Sequence, residues 1–286
     1  MSYIGNNYER SATFTNRGKS SDDVVNGTPD RSHLSNPGSH SGNNQHIVIT
    51  YSNVEDEELQ VLQELVDMFE LNAHVSWNDS VTHLIVKTNI KGRCIRTNKF
   101  MNALLLNRFI VTMDWARNCL SSRKLLPEGN YMPLEHSGEP SPLVSWRVGR
   151  GIIASPMEWT SNCILYLHSS IEFNESYTDI ILWAQRAGFV LTDDLEEFKN
   201  KYRMRVILAE KIYSHTDVRS QLPNTAEMTS WLYDYKGVTI YLDWFLESLF
   251  QYKFVVINHY YQIMKLNPSM VEFTDMDESL FEFENC

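Results

Sequence analysis

Two spacings of apolar residues alternate along this 286-residue chain. Short apolar runs, "HIVIT" at 46–50, "HLIVK" at 83–87 and "RFIVT" at 108–112, are separated by segments whose apolar residues return every third or fourth position. Unbroken runs of this length read as strands buried on both faces, as in a parallel sheet, and the longer period reads as amphipathic helix. After the first run, Leu59, Leu62, Val66 and Phe69 share one helical face behind an acidic start, which suits a helix N-terminus. Ala73–Ser76 predicts a short strand. Asn98–Leu106 predicts a helix with Met101, Leu104 and Leu105 inward, and "MDWARNCLSSRKLL" predicts another around Trp115. The order is β-α-β-β-α-β-α, which implies an α/β module with a mostly parallel sheet flanked by helices.

A Pro- and Gly-rich stretch follows, and the pattern restarts. "CILYLHSS", "RMRVILAE" and "GVTIYL" read as strands, and "NESYTDIILWAQRAGF" and "DWFLESLFQYK" as helices. "MDWARNCLSS" and "LDWFLESLFQ" put Asp114/Asp243, Trp115/Trp244 and Leu120/Leu249 in matching places, so the chain reads as a tandem repeat. The expected organisation is a disordered Ser/Asn/Gly-rich segment (1–45), a first module (46–132), a linker (133–160), a second module (161–266) and a loose acidic tail (267–286).

The net charge of -11 argues against binding to bulk DNA, whose phosphates call for a basic stripe. No apolar run approaches the ~20 residues that span a bilayer, and the start lacks a signal segment, so no membrane partner is expected. The four cysteines show neither CxxC nor zinc spacing, which predicts reduced thiols and no metal. GxxxxGK[ST], GxGxxG and GxSxG are all absent, so neither an enzyme nor a cofactor is expected. Two basic clusters stand against the acidic background: Lys91, Arg93 and Arg96, and Lys199, Lys201, Arg203 and Arg205. They keep direct binding of DNA ends, or of proteins without phosphate dependence, as an alternative.

Ser52 closes the first strand beside the acidic helix start, and Lys99 lies on the second helix. A hydroxyl, a backbone N–H and an ammonium are donors suited to an anion, opposed by the nearby Glu55, Asp56 and Glu57. Trp115, Trp244, Cys94 and Cys119 read as core, and His83 as a hydrogen-bonded structural histidine.

The strand "VTHLIV" before a loop, then a helix, a strand and a helix built on a central Trp, resembles the BRCT domain. The tandem arrangement resembles the phosphopeptide-binding BRCT pairs over roughly 47–265, most closely in the first repeat ("THLIVKTN", "CIRTNK", "DWARNCLSSRKLL"). That resemblance implies a non-enzymatic scaffold of the nucleus that binds phosphoserine-containing DNA-damage-response proteins and supports homologous recombination. It also implies a RING/BRCT heterodimer partner within a ubiquitin ligase complex, held through a region outside this chain, which has no RING cysteines. It assigns the phosphate to Ser52, to the N–H of Asn53 where the family has Gly, and to Lys99, with Thr97 supporting. Arg96 would read the peptide main chain three residues past the phosphoserine (+3) and pair with Asp243 and Glu247. Met101, Asn174, Glu175 and Leu246 would line the +3 pocket, where Glu175 would shift preference from Phe toward a polar or basic residue.

Overall fold

The computed structural model describes residues 47–134, 160–174, 176–200, 204–210, 222–251, 253–271 and 276–283, which fall into two compact units. The segment 1–45 and residues 135–159 of the expected linker lie outside the described residues.

The first unit runs β1 (Val48–Ser52), α1 (Asp56–Phe69), β2 (Asn72–Ala73), β3 (His83–Val86), α2 (Asn98–Leu105), β4 (Phe109–Thr112) and α3 (Met113–Ser122). Its four strands are all parallel, in the order β2-β1-β3-β4. Ile49, Tyr51, Ile85 and Val111 pack with Leu62, Leu65 and Val66 of α1 and with Trp115, Ala116 and Cys119 of α3. Burying each large apolar side chain contributes about 1.5–3 kcal/mol. The alternate positions Leu84, Val86 and Ile110 are buried as well, which explains why these strands read as unbroken apolar runs. The second strand is shorter than expected, because Asn72–Ala73 alone pairs with β1. Helix α1 ends where Glu70 turns left-handed (φ 51°), and α3 where Arg123 does (φ 50°).

The second unit runs β5 (Cys163–Leu167), α4 (Tyr177–Arg186), β6 (Val190–Thr192), β7 (Met204–Ala209), α5 (Thr225–Tyr235), β8 (Val238–Tyr241) and α6 (Leu242–Gln251), with a short α7 (Pro268–Val271). Its sheet, β6-β5-β7-β8, is again all parallel and repeats the topology of the first. The chain is thus a tandem of two α/β modules. The pattern missed β6, only three half-buried residues at the sheet edge, and it missed α5. Helix α5 does carry a signal: Asn224 and Glu227 form a reciprocal capping box ahead of Met228, Trp231, Leu232 and Tyr235, at helical spacing.

The repeat extends to single hydrogen bonds. Trp115 Nε1 donates to the Leu126 carbonyl and Trp244 Nε1 to the Val255 carbonyl, both at 2.8 Å and both eleven residues on. Asn107 (φ 54°) and Lys236 (φ 58°) both turn left-handed two residues before β4 and β8.

The acidic tail was expected to be loose, and its described residues are anchored instead. Val271, Met276 and Phe281 are buried, and Ile257 pairs with Phe281 in a parallel bridge. Acidic residues alternate with apolar ones here, and the apolar side chains have surface to cover in the second unit.

Candidate functional site

Helix α1 does not begin at Ser52. Its N-cap is Glu55, whose side chain accepts from the Glu58 N–H while the Glu58 carboxylate accepts from the Glu55 N–H at 3.0 Å. The start of α1 is therefore closed by its own acids and is no anion site. Ser52 lies three residues earlier, at the carboxyl end of β1 and opposite Val86 of β3.

A different helix meets it. The Thr97 hydroxyl accepts from the Phe100 N–H (3.3 Å), and the Thr97 carbonyl accepts from the Met101 N–H (3.0 Å), so Thr97 caps α2. The same hydroxyl lies 2.9 Å from Ser52 Oγ. Lys99, on the first turn of α2, donates from Nζ to the Tyr51 carbonyl (3.0 Å) and to the Val75 carbonyl (2.6 Å). Its ammonium also stands 5.3 Å from the centroid of the Tyr51 ring. Ser52, Thr97 and Lys99 are only 4%, 9% and 7% exposed, so an ammonium and two hydroxyls converge in a partly dehydrated corner. A charge there attracts an anion more strongly than one in open water.

Asn53 is exposed and adopts φ 57°, the left-handed conformation a Gly would take at no steric cost. Asn is among the few side chains that tolerate it. Of the three acids expected to oppose an anion, Glu55 is drawn to a lysine, as is the neighbouring Glu58. Glu55 lies 2.6 Å from Lys87 Nζ, and Glu58 lies 3.1 Å from Arg117 and 3.7 Å from Lys87. The hydrogen bond that Lys87 donates to Glu55 holds the Lys87 pKa up despite some desolvation. Asp56 and Glu57 are exposed to solvent.

The remaining site candidates are distributed between the two units. Arg96 and Met101 are buried in the first. In the second, Leu246 is buried and Asp243 is exposed on α6, and Glu247 accepts from Gln251 Nε2 at 2.7 Å. Asn174 is engaged inside its own unit: its amide donates to Glu210 (2.6 Å), and its carbonyl oxygen accepts from the Ser176 N–H (2.7 Å). Glu175 lies outside the described residues. His83 behaves as a structural histidine, 2.8 Å from Thr82 Oγ1, 3.2 Å from Glu128 and stacked on Trp115. Cys94, Cys119 and Cys163 are buried and unbridged, and no group of three potential metal ligands occurs among the described residues. No described helix is long and apolar enough to cross a membrane.

Residues 30–133 match the family model described as the Regulator of Ty1 transposition protein 107 BRCT domain. Over those residues the chain is similar to a BRCT domain. Over 90 residues it is 33% identical to an Arabidopsis thaliana protein, the BREAST CANCER SUSCEPTIBILITY 1 homolog, covering 32% of this chain and 10% of that protein. Over 82 residues it is 28% identical to the Arabidopsis thaliana BRCA1-associated RING domain protein 1, covering 29% and 12%. The match thus spans about a tenth of these curated relatives. Among solved structures, the S. pombe Brc1 BRCT5-BRCT6 domains align with a TM-score of 0.47 at 17% identity, over 73% of this chain and 94% of that one. A complex of Rtt107p with a phosphorylated histone aligns with a TM-score of 0.44 at 10% identity, over 73% and 88%.

Proposed function

We propose that this chain is a phosphoserine-peptide-binding scaffold, with the phosphate held by Ser52, the Asn53 N–H and Lys99. The observation that carries the reading is the corner itself. Thr97 orients Ser52 from 2.9 Å, and Lys99 is fixed on the carbonyl of the residue before Ser52. When a phosphate occupies the corner, the Thr97 hydroxyl donates to Ser52 Oγ and the Ser52 O–H turns to the phosphate. The Asn53 N–H and the Lys99 charge add to it. Each charge-assisted bond contributes about 1.5–3 kcal/mol.

In the same reading, Arg96 contacts the peptide main chain at +3. By the BRCT resemblance, the same reading gives the chain a role in the DNA damage response, in the nucleus and in homologous recombination. A RING-bearing partner, which would supply any ubiquitin ligase activity, belongs to the same reading; the similarity to a protein named BRCA1-associated RING domain protein 1 is compatible with it. The alternative of DNA binding through the second basic cluster is disfavoured. Lys199 is 2.7 Å from Glu196, and the buried Arg205 donates to the Phe198 and Asn200 carbonyls. Lys201 and Arg203 lie outside the described residues.

The test is fluorescence-anisotropy titration of phosphoserine peptides and their unphosphorylated twins against wild type and Lys99→Met. The expected result is phosphate-dependent binding that Lys99→Met weakens by roughly ten- to a hundredfold, the loss of one charge-assisted contact. Equal binding of both peptide forms to wild type refutes the reading.

A further inference from the structure

Between β3 and α2 the chain makes a small, well-braced hairpin. Thr88 and Cys94 form an antiparallel bridge, and the Asn89 side chain accepts from the N–H groups of both Lys91 (2.9 Å) and Arg93 (3.2 Å). The Asn89 N–H donates to the Arg93 carbonyl, and the Gly92 N–H to the Asn89 carbonyl. Gly92 takes φ 73°, and a Cβ there would come within 3.2 Å of Leu134, whose own N–H donates to the Gly92 carbonyl. The hairpin is therefore held from within and by Leu134 beside it.

What it displays is unusual for an acidic chain. Ile90 is fully exposed at the tip, and Ile95 and Leu134 are 45% and 38% exposed. The hairpin itself, residues 88–94, carries two basic residues, Lys91 and Arg93, and no acidic one, on a chain of net charge -11. Isolated exposed apolar residues are ordinary, but an isoleucine held at the tip of a braced hairpin, next to an exposed lysine, is shaped for contact. The hairpin also leaves the sheet at the right place. Strands β1 and β3 are parallel neighbours with Ser52 opposite Val86, so the hairpin and the Ser52 corner emerge from the same carboxyl edge of the sheet. Neighbouring strands lie about 4.8 Å apart, and the four residues from Val86 to Ile90 reach at most roughly 13 Å. An extended peptide covers that distance in about four residues.

We infer that the hairpin 88–94 is a second reading element for the same ligand, selecting phosphoserine peptides that carry acidic residues and one aliphatic residue about three to five positions from the phosphoserine. Lys91 and Arg93 meet the acids and Ile90 meets the aliphatic side chain. This inference rests on the phosphoserine reading of the Ser52 corner and adds the ligand's flanking chemistry. The opposite charge of the partner follows from the basic run. That the partner is a peptide rather than a nucleic acid follows from the apolar tip, which has no use on a phosphate backbone.

The experiment titrates the 286-residue chain with three phosphoserine peptides: neutral flanks, an Asp/Glu/Leu cluster on the N-terminal side, and the same cluster on the C-terminal side. Wild type is compared with Ile90→Ser, with Lys91→Glu and with Lys99→Met. One of the two clustered peptides is expected to bind wild type roughly three- to tenfold more tightly than the neutral one, the worth of one or two exposed charge pairs and a small apolar contact. Ile90→Ser should erase part of that preference and Lys91→Glu should reverse it, both leaving the neutral phosphopeptide unaffected. High salt should remove the Lys91 part. Lys99→Met should weaken all three peptides together. If neither cluster improves binding to wild type, or if the hairpin variants weaken the neutral peptide as much as the clustered one, the inference is wrong while the phosphoserine reading stands. If no phosphopeptide binds and a DNA duplex binds through Lys91, both fall.

Discussion

The two units place opposite chemistry at the same corner. In the first, Ser52 lies level with Val86 and Thr112, the residue before the tryptophan helix α3. In the second, Ala209 lies level with Tyr241, the residue before α6, and one step beyond the last pair of β5 and β7 stands His168. His168 is thus the counterpart of Ser52. The helix caps align as well. Thr97 caps α2 with Lys99 two residues later and Phe100 three, whereas Asn224 caps α5 with Ala226 and Glu227 in those places. The first corner holds a hydroxyl and an ammonium. The second holds an imidazole whose Nδ1 accepts from the Ser170 N–H at 3.2 Å, with no amine on the helix and with Glu227 and Glu172 acting on it electrostatically. In the proposed reading, anion binding would come not from the shared fold, down to the matching Trp–carbonyl bonds, but from three or four side chains at the carboxyl edge of the sheet.

The comparison is sharpest where the units should be alike. Trp115→Ala and Trp244→Ala each remove a fully buried indole and its bond to a backbone carbonyl. Each should destabilise its own unit by about 3–5 kcal/mol. Urea unfolding followed by circular dichroism measures both. A loss under about 1 kcal/mol at either position, the range of tolerated core swaps, would show that the two tryptophans are not structural equivalents.

The corners should then separate in binding. Ser52→Ala removes a hydroxyl donor from the proposed phosphate site and should weaken phosphopeptide binding by about 1.5–3 kcal/mol, roughly ten- to a hundredfold. His168→Ala should leave that binding unchanged. Calorimetric titration with one phosphopeptide distinguishes them, and an equal loss for the two variants would put the ligand in the wrong unit or in both.

Much of this was legible in the sequence for a definite reason. The parallel sheet showed because strands such as His83–Val86 are buried on both faces, and the repeat showed because Trp115 and Trp244 sit in helices of matching register. Ser52 and Lys99 were joined as a candidate pair by the BRCT resemblance; by themselves they read as a helix cap and a solvated helix face. Three features were hidden. Helix α1 begins at Asp56 and not beside Ser52, because Glu55 and Glu58 cap each other, and the acidic run alone does not say which residue is the cap. The roles of Lys87 and Arg117 against the local acids depend on contacts between residues far apart in the sequence. The tail looked loose because its charge density masks Val271, Met276 and Phe281, which have no period within so short a segment.

The smallest expected effect concerns His168 alone. Burial lowers its pKa below the ordinary imidazole value, while Glu227 and Glu172 pull the other way. The geometry agrees with the net direction. Nδ1 accepts from the Ser170 N–H and lies 3.0 Å from Ser170 Oγ, and that hydroxyl in turn accepts from the Glu210 N–H at 3.0 Å. A proton on Nδ1 removes the acceptor and uncaps the turn Ser169–Phe173. The folded second unit therefore favours the neutral ring. Its contribution is complete above the unfolded value of ~6.5 and is lost as pH falls through the depressed folded one. Thermal unfolding at about pH 7.5 and about pH 5.5, either side of that ordinary value, should show a larger acid-induced drop for wild type than for His168→Asn, which keeps an acceptor but does not titrate. The Ser52 corner has no titrating group in the equivalent place, so phosphopeptide affinity should not follow the His168-dependent part of the drop. If His168→Asn and wild type lose the same stability on acidification, the second corner is as indifferent to protons in this range as the first, and the chemical contrast between the units narrows to the ammonium of Lys99.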